Sequence, residues 1–294
     1  MSPVRTAIIP VAGFGTRFLP ASKATPKVLL PILDRPLIQY AVDEAFDSGI
    51  ETIVVVTGRN QSLIEDYFAK DNELESTLSE SGKTDLLASL ESLRPSAGQL
   101  VFVRQNQPLG LGHAVWCARH VVAGEPFAVI LPDEMVVGDE PCLRTLIEAH
   151  DEFGTNVVLV DEIAPERTGD YGIVAPAGDP ADEDRFEVAD VLEKPAPDEA
   201  PSNLAVVGRY VLTAAVMETL GATRAGAGGE IQLTDAIRSN IASDGLHAVR
   251  NRSRRFDCGS KEGFLEATVM MSLDDPELRD TMVGLARRIA SDSD

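Results

Sequence analysis

What most constrains this chain is the alternation of short β-branched runs with amphipathic helical stretches. Thr6–Val11, Thr52–Val56, Leu100–Val103, Phe127–Leu131 and Asn156–Val160 have the pattern of strands buried inside a sheet. Between them, Pro36–Ser48 sets Ile38, Ala41, Val42, Ala45 and Phe46 on one helical face and stops at Gly49. Gly112–Val122 and Pro141–Phe153 behave the same way. Strand and helix in turn predict an α/β fold, a Rossmann-like, mixed but mostly parallel central sheet with helices on both faces. Phe186–Leu192 and Leu204–Leu212, set among loops at 176–184 and 195–201 crowded with Pro, Ala and Asp, predict a small additional β layer. Residues 1–273 read as one catalytic unit with a polar helical insertion at 71–98; residues 274–294 read as a C-terminal helix, over Glu277–Ala290, and a tail. That helix is either a subunit contact or a plain surface helix.

The chain of 294 residues is long enough to bury roughly 75 % of its unfolded surface without staples. Cys117, Cys142 and Cys258 form no CxxC pair, so neither a zinc knuckle nor a disulfide framework is implied. Ala7–Gly13 is short and interrupted by Pro10, unlike a signal-peptide core, and no apolar run approaches the roughly 18 residues of a membrane span. A cytoplasmic protein without membrane partners is expected.

Charge is uneven. The formal net charge of −21 argues against general nucleic-acid binding. Yet no acid occurs from Met1 to Leu33, where Arg5, Arg17, Lys23 and Lys27 all stand. Such a stretch is either a basic edge or a site kept clear of carboxylates because a polyphosphate lands there. It contains the turn after the first strand, Ala12-Gly13-Phe14-Gly15-Thr16-Arg17, and ligands of open parallel sheets sit beyond such carboxyl ends. Glycines there let backbone N–H groups approach phosphates or a flat base. The turn fails the dinucleotide fingerprint, which wants Gly or Ala at Phe18, and it fails the P-loop, which wants Gly-Lys-Ser/Thr.

What remains is Ala12-Gly13-Phe14-Gly15-Thr16-Arg17-Phe18-Leu19-Pro20 with Pro26-Lys27. Four further segments follow in order: Gln105-Asn106-Gln107-Pro108-Leu109-Gly110-Leu111-Gly112-His113-Ala114, Leu131-Pro132-Asp133, Glu193-Lys194-Pro195 and Gly229-Glu230-Ile231-Gln232-Leu233-Thr234-Asp235. From about Val4 to Met271 the chain resembles the sugar-phosphate nucleotidylyltransferases, and among them the bacterial uridylyltransferases that act on glucose 1-phosphate. One such motif is weak evidence; five in sequence order are strong.

The resemblance implies attack by a sugar-phosphate oxygen on the α-phosphorus of UTP, with release of pyrophosphate. That nucleophile is already an anion at neutral pH, which suits a chain with four histidines and no obvious base–nucleophile pair. Catalysis then rests on positioning and electrostatics. Arg17 is implied to grip the triphosphate, Lys27 to place a compact charge near the β-phosphate or the transferring group, and Lys194 to hold the sugar phosphate. Asp133 and Asp257 become paired magnesium ligands, although an Asp at a strand end is by itself as readily a cap or turn residue. For the base, the Gln105 amide both donates and accepts, with backbone of Ala12 and Gly13 completing the edge, Gly15 in the phosphate turn, and Gly110 passing under the ring. Glu193 suits two sugar hydroxyls, with backbone at Gly172 and Gly208 lining the same pocket. Glu230 reads either as a sugar or supporting contact or as a helix N-terminal acid. Glu134, beside Asp133, has no place in the pattern and reads as solvated.

The family habit suggests a homodimer or homotetramer. A dTTP-dependent thymidylyltransferase is the nearest alternative, but that family tends to Gly-Gly where Ala12-Gly13 stands and lacks the Pro-Leu-Gly-x-Gly-His segment. A non-catalytic nucleotide-sugar sensor fits poorly with retention of Arg17, Lys27, Asp133, Lys194 and Asp257, and a nicotinamide dehydrogenase fits poorly with Phe18.

Overall fold

The computed structural model describes residues 2–59, 61–180, 183–223 and 229–291. Its strands in chain order are β1 (Thr6–Pro10), β2 (Pro31–Ile32), β3 (Arg35–Pro36), β4 (Thr52–Thr57), β5 (Leu100–Arg104), β6 (Phe127–Ile130) and β7 (Glu134–Val137). They continue as β8 (Asn156–Glu162), β9 (Gly172–Pro176), β10 (Arg185–Glu193), β11 (Leu204–Leu212), β12 (Leu246–Arg250) and β13 (Arg254–Asp257). The helices are α1 (Leu37–Asp47), α2 (Ser62–Phe68), α3 (Asn72–Glu80), α4 (Thr84–Ser92), α5 (Leu111–Cys117) and α6 (Arg119–Val122). After them come α7 (Cys142–Phe153), α8 (Ala214–Ala222), α9 (Leu233–Asp244), α10 (Lys261–Asp274) and α11 (Arg279–Ser291).

Among the described residues nine strands share one sheet, in the order β5-β4-β1-β6-β11-β8-β12-β10-β9. Alternation along β1 and β4 builds a core on each face, because successive side chains point opposite ways. Ala7, Ile9, Ile53 and Val55 pack with Ile38, Ala41, Val42 and Ala45 of α1 and Leu143, Leu146 and Ala149 of α7. Ile8, Val54, Val56 and Val129 pack with Ala114 and Val115 of α5 and Leu233, Ala236 and Ile237 of α9. The polar segment expected to be helical holds α3 and α4, and Asp71 caps α3 by accepting from the Leu74 N–H at 2.9 Å. No helix among the described residues is long and apolar enough to cross a membrane.

The structure corrects the sequence expectations in three places. Parallel pairing runs through β5, β4, β1 and β6 and returns between β8 and β12. However, β11 is antiparallel to both β6 and β8, and β10 is antiparallel to both β12 and β9, so the sheet is mixed rather than mostly parallel. Parallel neighbours need a long crossover, and the connections flanking β10 hold no helix among the described residues. The additional layer expected from Phe186–Leu192 and Leu204–Leu212 does not form, since both are strands of the main sheet. A separate two-stranded sheet is made instead by β7 and β13, whose Glu134, Arg254 and Arg255 hide it from an apolar-run reading. Finally, the helix expected over Gly112–Val122 breaks at Ala118 into α5 and α6 and stops at Ala123, which takes a left-handed φ of 54°.

One buried charge links the sheet to α1. Arg209 on β11 is 2 % exposed, and its guanidinium donates to both Glu44 carboxylate oxygens at 2.7–3.1 Å and to the Leu131 and Gly208 carbonyls at 3.1 and 3.2 Å. Glu44 also accepts from the Cys142 thiol at 3.0 Å and the Leu143 N–H at 3.3 Å. Removing one partner of such a pair leaves a charge without compensation. Arg209→Met should lower the unfolding free energy by about 3–5 kcal/mol, with Glu44→Gln added in the same chain recovering part of it. Urea denaturation of the single and double variants checks this, and a loss near zero for Arg209→Met would contradict it.

Candidate active site

Beyond the carboxyl ends of β1 and β6 opens a cleft of about 770 Å³, continuous in its lining with a smaller cavity of about 270 Å³ under the N-terminal loop. Every residue given a substrate or metal role by the resemblance lines one or the other. Ala12, Gly13, Arg17, Gln105, Gly110, Asp133, Gly172, Glu193, Lys194, Gly208, Glu230 and Asp257 face the larger space, and Gly15 and Lys27 face the smaller.

Asp133 follows β6, and Lys27 sits on a short 3-10 turn after Pro26. The Lys27 ammonium reaches an Asp133 carboxylate oxygen at 2.9 Å. Asp257 ends β13, and the β7–β13 register pairs it with Glu134, next to Asp133. One Asp257 oxygen accepts from the Gly259 N–H at 3.0 Å; the other accepts from Arg167 at 3.2 Å and from the Tyr171 hydroxyl at 3.1 Å. A Cβ built on Gly259 would stand 2.7 Å from Asp257 Oδ1 and 3.3 Å from Asp133 Oδ2. The space beside Gly259 thus lies between the two carboxylates, with the Lys27 ammonium 3.4 Å from the same point. Two hard oxygen donors facing one gap suit magnesium, which takes one or two carboxylates and fills its remaining positions with phosphate oxygens and water. No third Asp, Glu, His or Cys among the described residues joins them.

Glu134 is corrected by the structure. It is buried rather than solvated, and Arg255 donates to it at 2.8 Å while also donating to the Tyr171 hydroxyl at 2.8 Å. Burial pushes the Glu134 carboxyl up, against the pull of Arg255. The chain Glu134–Arg255–Tyr171–Asp257 fixes the Asp257 carboxylate from behind. None of these supports was visible in the sequence, because β13 is four residues long and its partner strand lies far away in the chain.

On the opposite wall, Glu193 accepts from the Thr234 hydroxyl at 2.7 Å and lies 3.6 Å from the Lys194 ammonium. Lys194 takes a left-handed φ of 48°, held by its N–H to the Tyr171 carbonyl at 2.9 Å. Such a conformation costs of order 1 kcal/mol or more in a residue with a Cβ and is retained where the surroundings dictate it. Gly208 (φ 71°) sits where the β11–β8 register shifts, and a Cβ there would come within 2.9 Å of Glu134. Gly110 (φ 94°) presses against Glu230 and Ile231 in the same way, and the Leu109 carbonyl accepts the Ile231 N–H at 2.7 Å. Glu230 itself accepts from Gln232 at 2.9 Å. Arg17 is exposed in the cleft and makes no ion pair among the described residues.

Gln105 is 7 % exposed, and its amide nitrogen donates to the Gly110 carbonyl at 3.1 Å and lies 3.0 Å from His113 Nδ1. The amide nitrogen therefore has two neighbours within the protein. Neither His150, which contacts the Thr155 carbonyl, nor His247, which contacts the Thr155 hydroxyl, lies in the lining of the cleft.

Residues 6–272 match the family model described as nucleotidyl transferase. A protein of Bacillus subtilis strain 168 named UTP–glucose-1-phosphate uridylyltransferase YngB is 47 % identical over 280 residues, spanning 95 % of this chain and 93 % of that one. A UDP-glucose pyrophosphorylase from Acinetobacter baumannii has the same fold with a TM-score of 0.89 at 41 % identity, covering 97 % of this chain and 99 % of that one. A UDP-glucose pyrophosphorylase solved with UDP-glucose aligns with a TM-score of 0.83 at 38 % identity, over 92 % of this chain and 100 % of that one. Matched over nearly all of its length, the chain belongs to the nucleotidyl transferase family, among the UTP–glucose-1-phosphate uridylyltransferases.

Proposed function

We infer that this chain transfers the uridylyl group of UTP to glucose 1-phosphate, giving UDP-glucose and pyrophosphate, and that residues 1–273 are the catalytic unit. The observation that carries the reading is the gap between Asp133 and Asp257, flanked by cations from separate parts of the chain, in a protein 47 % identical to a uridylyltransferase.

An oxygen of the sugar phosphate attacks the α-phosphorus, the bond to the β-phosphate oxygen breaks, and pyrophosphate leaves with that electron pair. No proton has to be removed from the nucleophile, so the site needs no base. Its task is to bring mutually repelling anions into line. Arg17, with no internal ion pair among the described residues, is free to fork onto the triphosphate. Lys27 offers a compact charge between Asp133 and the phosphates, and Lys194 holds the sugar phosphate. Glu193, fixed by Thr234, accepts from sugar hydroxyls. The Gln105 amide and the backbone of Ala12 and Gly13 read the base, while Gly15, Gly110, Gly172 and Gly208 keep the walls close. Glu230 closes the rim beside Gln232. Asp133 and Asp257 are the residues to hold magnesium, which when bound offsets the charge on the reacting phosphates.

Pyrophosphate release from a panel of nucleoside triphosphates and sugar 1-phosphates, with and without magnesium, tests the whole reading; activity with UTP that a chelator leaves untouched would overturn the metal assignment. Asp133→Asn and Asp257→Asn should each cut turnover by about 10²-fold or more while the thermal midpoint stays close to that of the parent chain. Glu193→Ala should raise the KM for glucose 1-phosphate by about tenfold, the worth of one charge-assisted hydrogen bond, with the KM for UTP little changed. Equal damage to both KM values would argue against the sugar contact.

A further inference from the structure

Gln105 stands one residue past β5, and its N–H donates to the Thr57 carbonyl at 2.8 Å, so its backbone is part of the sheet's edge. Its side-chain amide has two possible orientations, and the neighbours decide between them. The Gly110 carbonyl oxygen can only accept, so the amide atom 3.1 Å from it is the nitrogen. That nitrogen has only protons to offer. His113 Nδ1, 3.0 Å away, must therefore accept, which places the ring proton on Nε2. With both N–H groups occupied, what remains is Oε1, which accepts no hydrogen bond among the described residues and belongs to a residue in the wall of the cleft.

We propose that His113 is a positioning residue for base selection: by accepting from Gln105 it locks the amide so that Oε1, not the NH2 group, meets the nucleobase. The inference rests on the reading of this cleft as a UTP site. Uracil presents N3–H, a donor, to that oxygen. Cytosine presents a lone pair at N3 beside a 4-amino group, so the same oxygen repels it. An amide turned over would reverse the preference, but turning it sets Oε1 against the Gly110 carbonyl and keeps the His113 contact only if the ring proton moves to Nδ1. A site built to satisfy a hydrogen-bonding edge discriminates through the groups left unpaired by the wrong one.

The setting of His113 keeps its imidazole neutral, as an acceptor must be. It lies in the first turn of α5, with the Cys117 sulfur 4.0 Å from the same Nδ1 and the Trp116 ring centroid 6.0 Å from its own. Burial first, and then the Arg119 guanidinium, hold it below the ordinary histidine range. Arg104 and His120 share with it the lining of a small cavity, and neither Asp nor Glu stands in that lining to draw a proton onto the ring.

The test compares kcat/KM for UTP and CTP, with glucose 1-phosphate and magnesium, in the parent chain and in His113→Leu and His113→Asn. Leucine removes the acceptor, and the UTP/CTP ratio should fall about three- to tenfold, the worth of one neutral hydrogen bond. Asparagine can set its Oδ1 where Nδ1 stood and should restore most of the parent ratio. A ratio unmoved in His113→Leu, or lowered equally by both substitutions, would overturn the proposal, since ring packing alone accounts for the second result. Independently of either variant's folding, the 15N chemical shifts of the His113 ring in the parent chain should report the Nε2–H tautomer, and an Nδ1–H tautomer would overturn the assignment. A parent chain that releases no pyrophosphate from UTP would overturn the reading of the cleft and this inference with it. A parent chain that prefers UTP, with an unchanged ratio in His113→Leu, sinks the inference alone.

Discussion

The active cleft depends on the antiparallel pairing of two four-residue strands, β7 and β13. Their register sets Asp257 opposite Glu134, and so brings one carboxylate from near the end of the chain beside Asp133 after β6. The pairing is short for its task and is reinforced by chemistry on both sides. The Arg255–Glu134 ion pair is buried beneath it, with the two side chains only 10 % and 12 % exposed. Ile32, Leu37, Met135, Phe256, Cys258 and Ala267 form an apolar cluster around it. A buried pair of this kind is weak evidence for stability, but a slipped register would leave both charges unpaired.

The fold was legible where sequence pattern and tertiary burial agree. Buried parallel strands are apolar on both faces, so β1, β4 and β6 announce themselves, the half-buried edge strand β5 shows the same apolar run, and α1 and α7 follow from their stripes and from Gly49 and Gly154 at their ends. The right-hand part of the sheet was harder. β10 and β11 are recognisable as strands, yet nothing local states that they join the main sheet antiparallel instead of covering it. Strand existence is a property of a few neighbouring residues; strand partners are a property of the whole chain.

The site divides the same way. The Gly-rich turn, Arg17 and Lys27 stand out because they occupy an acid-free stretch, and Asp133 stands out at a strand's end. Arg167, Tyr171 and Arg255 did not, and Thr234 and His113 stood in the motifs without a role, since each matters through a partner supplied by another element. Glu134 shows the limit most clearly. In sequence it is one acid among 47, and only the fold reveals that it is the buried counter-charge of Arg255. Roles carried by backbone conformation were equally hidden: that Gly208 relieves a clash with Glu134 depends on a register shift that no residue type encodes.

Glu44 has a consequence for how this architecture tolerates change. Its carboxylate receives the Arg209 guanidinium from β11 together with the thiol of Cys142 and the N–H of Leu143 at the start of α7, while it is itself carried on α1. Three elements are thus moored to a single pair of oxygens, and the same Arg209 reaches on to the carbonyls of Leu131 and Gly208 at the floor of the cleft. The remote side of the sheet and the substrate side are therefore not separable modules. A shift in the seating of α7 would travel through one rigid, planar side chain to the carbonyls at the floor of the cleft, so the packing of that helix and the shape of the cleft are mechanically coupled.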